Sequence, residues 1–307
     1  MEKNEFYFLS SDGHTNLRAI EWKAEETKAV VELVHGIAEH IERYDEFASF
    51  LAEKGITVVG FDLLGHGKSA AKEEDLGFFA EDDGWFKNVE DVNSLRRLTA
   101  EKYPDKPYFI LGHSMGSFLV RTYITKYAEG LAGAIISGTG ANPEPVLFLG
   151  RAVAKAVMKK GGIRARSETI RKMCFGSYNK EIENPKNENE WLSRDLSVSE
   201  KYCAEPLCGF LPCAEVYYEM FRGISYIQKK ENIAKVPKNL PLFFFSGSMD
   251  PVGGYSDGVI RAYNSYNNAG LTDTKIKLYA GGRHEMLNET NKNEVYADVL
   301  EWIESKI

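Results

Sequence analysis

No apolar run in this 307-residue chain approaches the roughly 20 residues that a bilayer-spanning helix needs, so an integral membrane helix is not expected. Nor is there a basic excess. Lys and Arg number 38 against 45 Asp and Glu, a net charge of -7, and no basic stripe offsets that balance, which argues against a nucleic-acid partner. The opening MEKNEFYFLSSDG lacks the positive-then-apolar order of a secretory signal, and a cytoplasmic location is expected. Cysteine is sparse: Cys174, Cys203, Cys208 and Cys213. The last three lie five apart in a segment without histidine, unlike the short C-x-x-C pairs of zinc sites, so free thiols and no metal are expected.

What the chain does have is an alternation of strand and helix patterns. Strands are predicted over 5–9, 16–22, 29–34, 56–61, 107–111, 132–136, 240–245 and 276–279, and the clearest helices over 44–53, 88–102, 117–127, 258–267 and 293–304. This rhythm predicts an α/β fold with a mostly parallel eight-stranded sheet, helices on both faces, and a site at the strand carboxyl ends. It fails between 141 and 238, where helical patterns occur without a convincing strand. The expected organisation is therefore a core of 1–140 and 239–307 with a helical cap of 141–238 inserted after the sixth strand. Within the cap, an apolar run from Val146 to Met158 carries interleaved Arg151 and Lys155, with Lys159 and Lys160 following. It suits either an interfacial helix making transient membrane contact or a helix packing on the core. Phe210, Tyr217, Tyr218, Phe221 and Tyr226 are candidates to line an apolar pocket, or else plain core.

The chemistry starts at Gly112-His113-Ser114-Met115-Gly116, between the apolar run 107–111 and the helix-like run 117–121. A G-x-S-x-G turn between strand and helix strains the backbone and lifts the serine oxygen clear of it, making Ser114 a candidate nucleophile. The pentapeptide alone decides nothing, because a serine hydroxyl needs a base, and the base an orienting acid. Downstream, the run 241–245 breaks into Ser246-Gly-Ser-Met-Asp250, and the strand 276–279 is followed by Gly281-Gly-Arg-His284. Asp250 and His284 thus each stand at a strand-to-loop break, in the order Ser, Asp, His. Singly, Asp250 suits a turn and His284 an ordinary loop; together with Ser114 they suit a catalytic triad. Asp257 and Asp273 are rival acids, the first at a helix start and the second before its strand. For an oxyanion hole, the backbone N–H of Met115 and that of Ile37, in the loop His35-Gly36-Ile37 after the third strand, are the expected donors. His35, Gly36 and His113 are expected to support these loops, and His35 and His40 to brace rather than react.

Five stretches carry a family resemblance: HGIAEHIERYDEFASFL from His35, FDLLGHGKS from Phe61, LGHSMGS from Leu111, SGSMDPVG from Ser246 and GGRHEMLNE from Gly281. Together they resemble the monoacylglycerol lipase and lysophospholipase group of the α/β-hydrolase superfamily. The resemblance implies a serine carboxylester hydrolase with Ser114, Asp250 and His284 as triad and Ile37 and Met115 as oxyanion donors, and a cap that covers them and shapes an acyl pocket. The chain departs from the group at Leu64, where many members have arginine before GHG, and at Ser117, where they have glycine. The expected reaction is two-step acyl transfer to water on a small lipid ester, monoacylglycerol or lysophospholipid, with no cofactor. A short-chain carboxylesterase or peptidase on the same triad, and an inactive hydrolase fold used for binding, remain as alternatives.

Overall fold

In the computed structural model, which describes residues 1–307, eight strands form one sheet. These are β1 (Glu2–Leu9), β2 (Asn16–Lys23), β3 (Ala29–Val34), β4 (Ile56–Phe61), β5 (Tyr108–His113), β6 (Gly133–Ser137), β7 (Leu242–Gly247) and β8 (Thr274–Tyr279). Their order is β1-β2-β4-β3-β5-β6-β7-β8. β2 runs antiparallel to both β1 and β4, while every pairing from β4 to β8 is parallel. Parallel neighbours force long crossovers, and these supply the helices. The winding direction reverses at β3, which pairs β4 on one side and β5 on the other. The loops leaving β3 and β5 therefore part company at their carboxyl ends and open a crevice there.

Both faces of the central strands are buried, and the two-residue strand period sends alternate side chains to each. Val31, Leu33, Phe109, Leu111, Phe243 and Phe245 face α1 (Asp45–Glu53) and α10 (Lys292–Glu304). Val30, Val34, Ile110 and Phe244 face α2 (Gly84–Lys102), α3 (Met115–Tyr123) and α9 (Asp257–Asn268). Two helices begin more than one residue earlier than their patterns indicated. α2 starts at Gly84 rather than 88 because its first turn is capped from a distance: the Trp85 N–H donates to Glu219 Oε2 at 3.1 Å. α3 starts at Met115 and is over by Tyr123, four residues before the expected end, where it unwinds into turns.

Between β6 and β7 the chain forms no strand, only an isolated bridge between Arg166 and Cys213 and a set of helices: α4 (Glu144–Gly161), α5 (Glu168–Phe175), α6 (Leu196–Ala204), α7 (Ala214–Gln228) and α8 (Lys230–Ile233). No helix of the protein is long and apolar enough to cross a membrane. α7 is the anchor of this segment. At Gly223 it meets α2 so closely that a Cβ there would lie 2.1 Å from the Trp85 ring. Glu215 Oε2 accepts the Phe79 N–H at 3.1 Å, so two carboxyl groups of α7 hold the start of α2 and the loop before it. α4 packs on α7 with Leu147, Gly150 and Ala154 buried, yet leaves Val146, Phe148 and Leu149 exposed. It thus has both a packed side and an apolar outer side.

Candidate active site

β5 delivers the chain into the turn at Ser114, whose φ of 54° and ψ of -122° lie outside the regions ordinary residues occupy. The surroundings over-determine this conformation. Ser114 N–H donates to Ser137 O at 3.0 Å, and the Ser117 hydroxyl donates to Ser114 O at 2.6 Å, a bond that glycine at 117 cannot make. Gly116 lets α3 start against the end of β3: a Cβ there would fall 2.0 Å from Val34 O.

Asp250 and His284 meet behind this turn. His284 Nδ1 lies 3.0 Å from Asp250 Oδ2, so Nδ1 carries the proton and Nε2 is left as acceptor. Ser246 Oγ donates to the same oxygen at 2.9 Å and Val252 N–H to Oδ1 at 2.9 Å. Burial favours neutral forms of both groups, but their mutual attraction outweighs it. The Asp250 carboxyl is held below its ordinary value and the His284 imidazole above its own. Ser114 and His284 line one cavity without a hydrogen bond between them, a common condition before substrate arrives. Of the rival acids, Asp257 opens α9 and Asp273 pairs with Lys306 at 2.6 Å; neither touches His284.

The loop after β3 lies against the turn, with a Gly36 Cβ position 3.1 Å from Ser114 Cβ. The N–H groups of Ile37 and Met115 have no acceptor in the protein. His35 is wholly buried; its Nε2 accepts the Leu63 N–H at 3.0 Å, so Nδ1 is the donor to Gly36 O at 2.7 Å. Burial pushes its pKa down to about 3, and it stays neutral. His113 bonds Ser137 Oγ through Nδ1 at 3.2 Å, packs 4.6 Å from the His284 ring, and is pushed down to about 4 by burial. His40 differs from expectation: neither of its buried ring nitrogens has a partner, so it braces nothing by hydrogen bonds.

The bracing falls instead to charged residues that pattern reading passed over. Glu39 Oε1 accepts the Gly36 N–H at 2.6 Å and the Tyr44 hydroxyl at 2.9 Å. Its other oxygen accepts from Arg43 Nη1 at 2.7 Å, and the same guanidinium forks onto Glu285 at 2.6 and 2.7 Å. One arginine therefore ties the Ile37 loop to the residue after His284. The Glu39/Arg43 spacing of four was the only trace of this in the sequence, and Glu285, 242 positions from Arg43, left none.

The family model described as serine aminopeptidase, S33, matches residues 25–291. The chain belongs to that family. It is 30% identical over 290 residues to the monoacylglycerol lipase of Mycolicibacterium smegmatis, covering 91% of this chain and 89% of that protein. To the monoglyceride lipase of Mus musculus it is 27% identical over 298 residues, 93% and 86% of the two chains. A solved carboxyl esterase from Bacillus coagulans, in complex with glycerol, superposes with a TM-score of 0.92 at 30% identity over 99% of each chain. The monoglyceride lipase of Saccharomyces cerevisiae, at 19% identity and a TM-score of 0.79 over 100% and 96% of the chains, shares the fold. The protein is thus a hydrolase enzyme with the α/β-hydrolase fold.

In this S33-family hydrolase two cavities meet at Ser114. One, of about 560 Å³, is the more polar of the two, with Arg171, Lys172, Asn179, Glu188 and Asn189 beside aromatic groups such as Trp191 and Tyr202. The other, of about 200 Å³, is almost wholly apolar, with Met115, Phe118, Leu147, Val153, Met220 and Ile224 in its wall. Ile37, Ser114 and Phe175 belong to both. Of the five aromatic candidates, Phe210 and Tyr217 line the polar cavity and Phe221 the apolar one. Tyr218 and Tyr226 do not; successive helical residues turn by about 100°, and Tyr226 packs instead on Phe86 at 5.4 Å. The four thiols are unpaired.

Arg43→Met should destabilise the fold by about 3–5 kcal/mol at neutral pH, since Glu39 and Glu285 would keep buried, unpaired charge. Arg43 holds the Glu285 carboxyl below its ordinary value against the opposing effect of burial. That contribution is present above the unfolded-state value and is lost as pH falls through the folded one. Urea titrations should therefore show the gap between parent and variant narrowing below about pH 4; a gap of constant size would contradict the ion-pair account.

Proposed function

We propose that this enzyme is a serine carboxylester hydrolase for monoacylglycerol-like lipid esters, with Ser114 as nucleophile, His284 as base, Asp250 as orienting acid, and Ile37 and Met115 N–H as oxyanion donors. The observation that carries the reading is the junction of an apolar and a polar cavity at Ser114. An ester with a hydrocarbon chain on its acyl side and a hydroxylated group on its alcohol side would occupy both. The lipase names of the relatives and the glycerol held by the Bacillus coagulans esterase point the same way. Residues 141–238 act as the cap over a core of 1–140 and 239–307, since α4 and α5 wall the apolar cavity. The family model's peptidase description fits the polar cavity less well. An aminopeptidase needs a free carboxylate for its substrate's ammonium, and the three carboxylates lining this cavity are occupied, Glu39 and Glu285 by Arg43 and Glu188 by Arg171.

In the proposed reaction, His284 Nε2 takes the Ser114 proton as Oγ bonds to the ester carbon, and Asp250 steadies the imidazolium. The oxyanion accepts from the two backbone donors. The carbon to alcohol-oxygen bond then breaks, and the alcohol leaves with the proton from His284. Water repeats the cycle on the acyl-enzyme and releases the acid. Four unpaired thiols support a reducing, cytoplasmic setting. Val146, Leu149 and Met173 are exposed and also line the apolar cavity, and exposed Phe148 adjoins them. We assign this rim, with Lys155, Lys159 and Lys160 on the same helix, to transient contact with a lipid surface.

Ser114→Ala should lower monoacylglycerol hydrolysis by roughly 10⁴ to 10⁶ and abolish fluorophosphonate labelling, and Asp250→Asn should cost about 10⁴. Because the His284 pKa is raised and the base must be neutral, the acid limb of kcat/KM should lie above the ordinary imidazole value of about 6.5. Near-normal turnover by the alanine variant would refute the assignment. Val153→Phe should fill the apolar cavity and move the preferred acyl chain to shorter lengths across a series of monoacylglycerols; an unchanged optimum would place the chain elsewhere. Phe148→Ser should reduce the fraction co-sedimenting with anionic vesicles while leaving hydrolysis of a soluble short-chain ester at the parental rate. Equal co-sedimentation would remove the lipid-contact assignment.

A further inference from the structure

Core elements alone do not hold the loop that carries His284. A short 3₁₀ turn (Glu190–Leu192) and its exit, lying between α5 and α6, run alongside it. His284 N–H donates to Trp191 O at 3.3 Å and Glu285 N–H to Leu192 O at 2.7 Å. Side chains reinforce this seam. Arg283 Nη1 donates to Glu190 O at 2.7 Å and Ser193 O at 2.9 Å. Buried Glu289 accepts from Arg194 N–H and Nε–H, each at 3.0 Å, and Ser193 Oγ donates to Asn288 O at 3.1 Å. Five consecutive residues of the β6–β7 segment are thereby joined to the loop of the proposed base.

Trp191 is the member of this seam that reaches the imidazole itself. Its ring centroid lies 5.1 Å from that of His284, with 40° between the planes. The indole is fixed from elsewhere in the same segment: Tyr178 meets it edge-on at 4.8 Å and 73°, and Phe175 lies nearly parallel to it at 6.3 Å and 8°. An aromatic face attracts a cation within about 6 Å through its quadrupole, in addition to the packing it offers a neutral ring, so this contact strengthens when His284 becomes charged. The other groups around the imidazole are accounted for. Asp250 holds Nδ1, Glu39 and Glu285 share the single charge of Arg43 and add to the pull of Asp250 on the imidazolium, His113 is neutral, Arg283 is spent on carbonyls, and Arg194 pairs with Glu289.

We propose that Trp191 is a positioning residue for the base: its carbonyl holds the His284 loop, and its indole face orients the imidazole and favours the imidazolium formed as Ser114 gives up its proton. This inference rests on reading His284 as the base. It gives the β6–β7 helical segment a part in the chemical step as well as in substrate selection.

Two variants separate ring from bulk. Trp191→Phe keeps an aromatic face, whereas Trp191→Leu keeps apolar filling and removes the face. For Trp191→Leu the expected result is a kcat reduced about ten- to a hundredfold with KM changed less than about threefold, and an acid limb of kcat/KM displaced to lower pH by about half a unit. Trp191→Phe should keep the parental limb. Imidazolium quenches indole emission, so the fluorescence difference between parent and Trp191→Phe should also titrate with the midpoint of the acid limb. This readout decides the question even if Trp191→Leu does not fold. A parental acid limb in folded Trp191→Leu, or a fluorescence difference flat over about pH 5 to 9, overturns the inference. His284→Gln distinguishes the two levels: if it retains parental turnover, the base assignment itself fails, and if it is inactive while folded Trp191→Leu keeps the parental limb, only the role of Trp191 fails.

Discussion

The Arg43 guanidinium holds together loops that the sheet topology alone leaves apart. The switch at β3 opens a crevice, and the loops beside it have no strand partner to fix them. A half-buried arginine bridging Glu39 and Glu285 supplies that constraint with directional bonds. Its net contribution to stability is small by comparison with burying apolar groups of similar volume, because three charges lose their water. What it secures is geometry. Glu39 holds Gly36 N–H, leaving Ile37 N–H free at the neck between the two cavities, while Glu285 is covalently next to His284. The donor loop and the proposed base thus share one fixed reference.

The helical segment between β6 and β7 is attached by a different principle. α7 is laid on α2 through contact at Gly223 and through Glu215 and Glu219, which accept backbone N–H groups rather than pair with cations of the core. Burial raises the Glu215 carboxyl to about 8, so near neutrality it holds the Phe79 N–H largely as a neutral group. The rest of the segment is less committed. α4 buries only a stripe and leaves apolar residues outside, which suits the proposed role of a wall that admits a hydrocarbon chain. A firm anchor at α7 and a looser outer wall at α4 divide docking from access.

The sheet was legible because β3 to β7, buried on both faces, read as apolar runs while the edge strands β1 and β8 alternate; all eight lie within a few residues of their patterns, from Glu2 to Tyr279. The turn at Ser114 was legible because its strain demands glycine nearby, and Asp250 and His284 because each follows a strand. Illegible were the parts made by distant partners. The start of α2 depends on Glu219, 134 positions from Trp85, and nothing local to Trp85 announces it. Arg43 and Glu285 look like surface charges until the fold buries Glu285 and half-encloses Arg43. Trp191 sits in a polar, aperiodic stretch, where a lone tryptophan carries no signal of what it faces.

These misses have a common physical cause, which also bears on how the enzyme divides its labour. A motif records the residues whose backbone or chemistry is special at one point, as at Ser114. It does not record the groups that restrain a reacting side chain from outside, because their requirement is only to fit and to stay put. Around His284 those groups come from both parts of the chain: Asp250 and His113 from the core, Trp191 from the helical segment. The segment that lines the apolar and polar cavities therefore also touches the imidazole. A sequence change that re-shapes the cavities for another ester is then not independent of the base, since Phe175 lines both cavities and packs on Trp191. Substrate choice and chemistry meet at that aromatic contact.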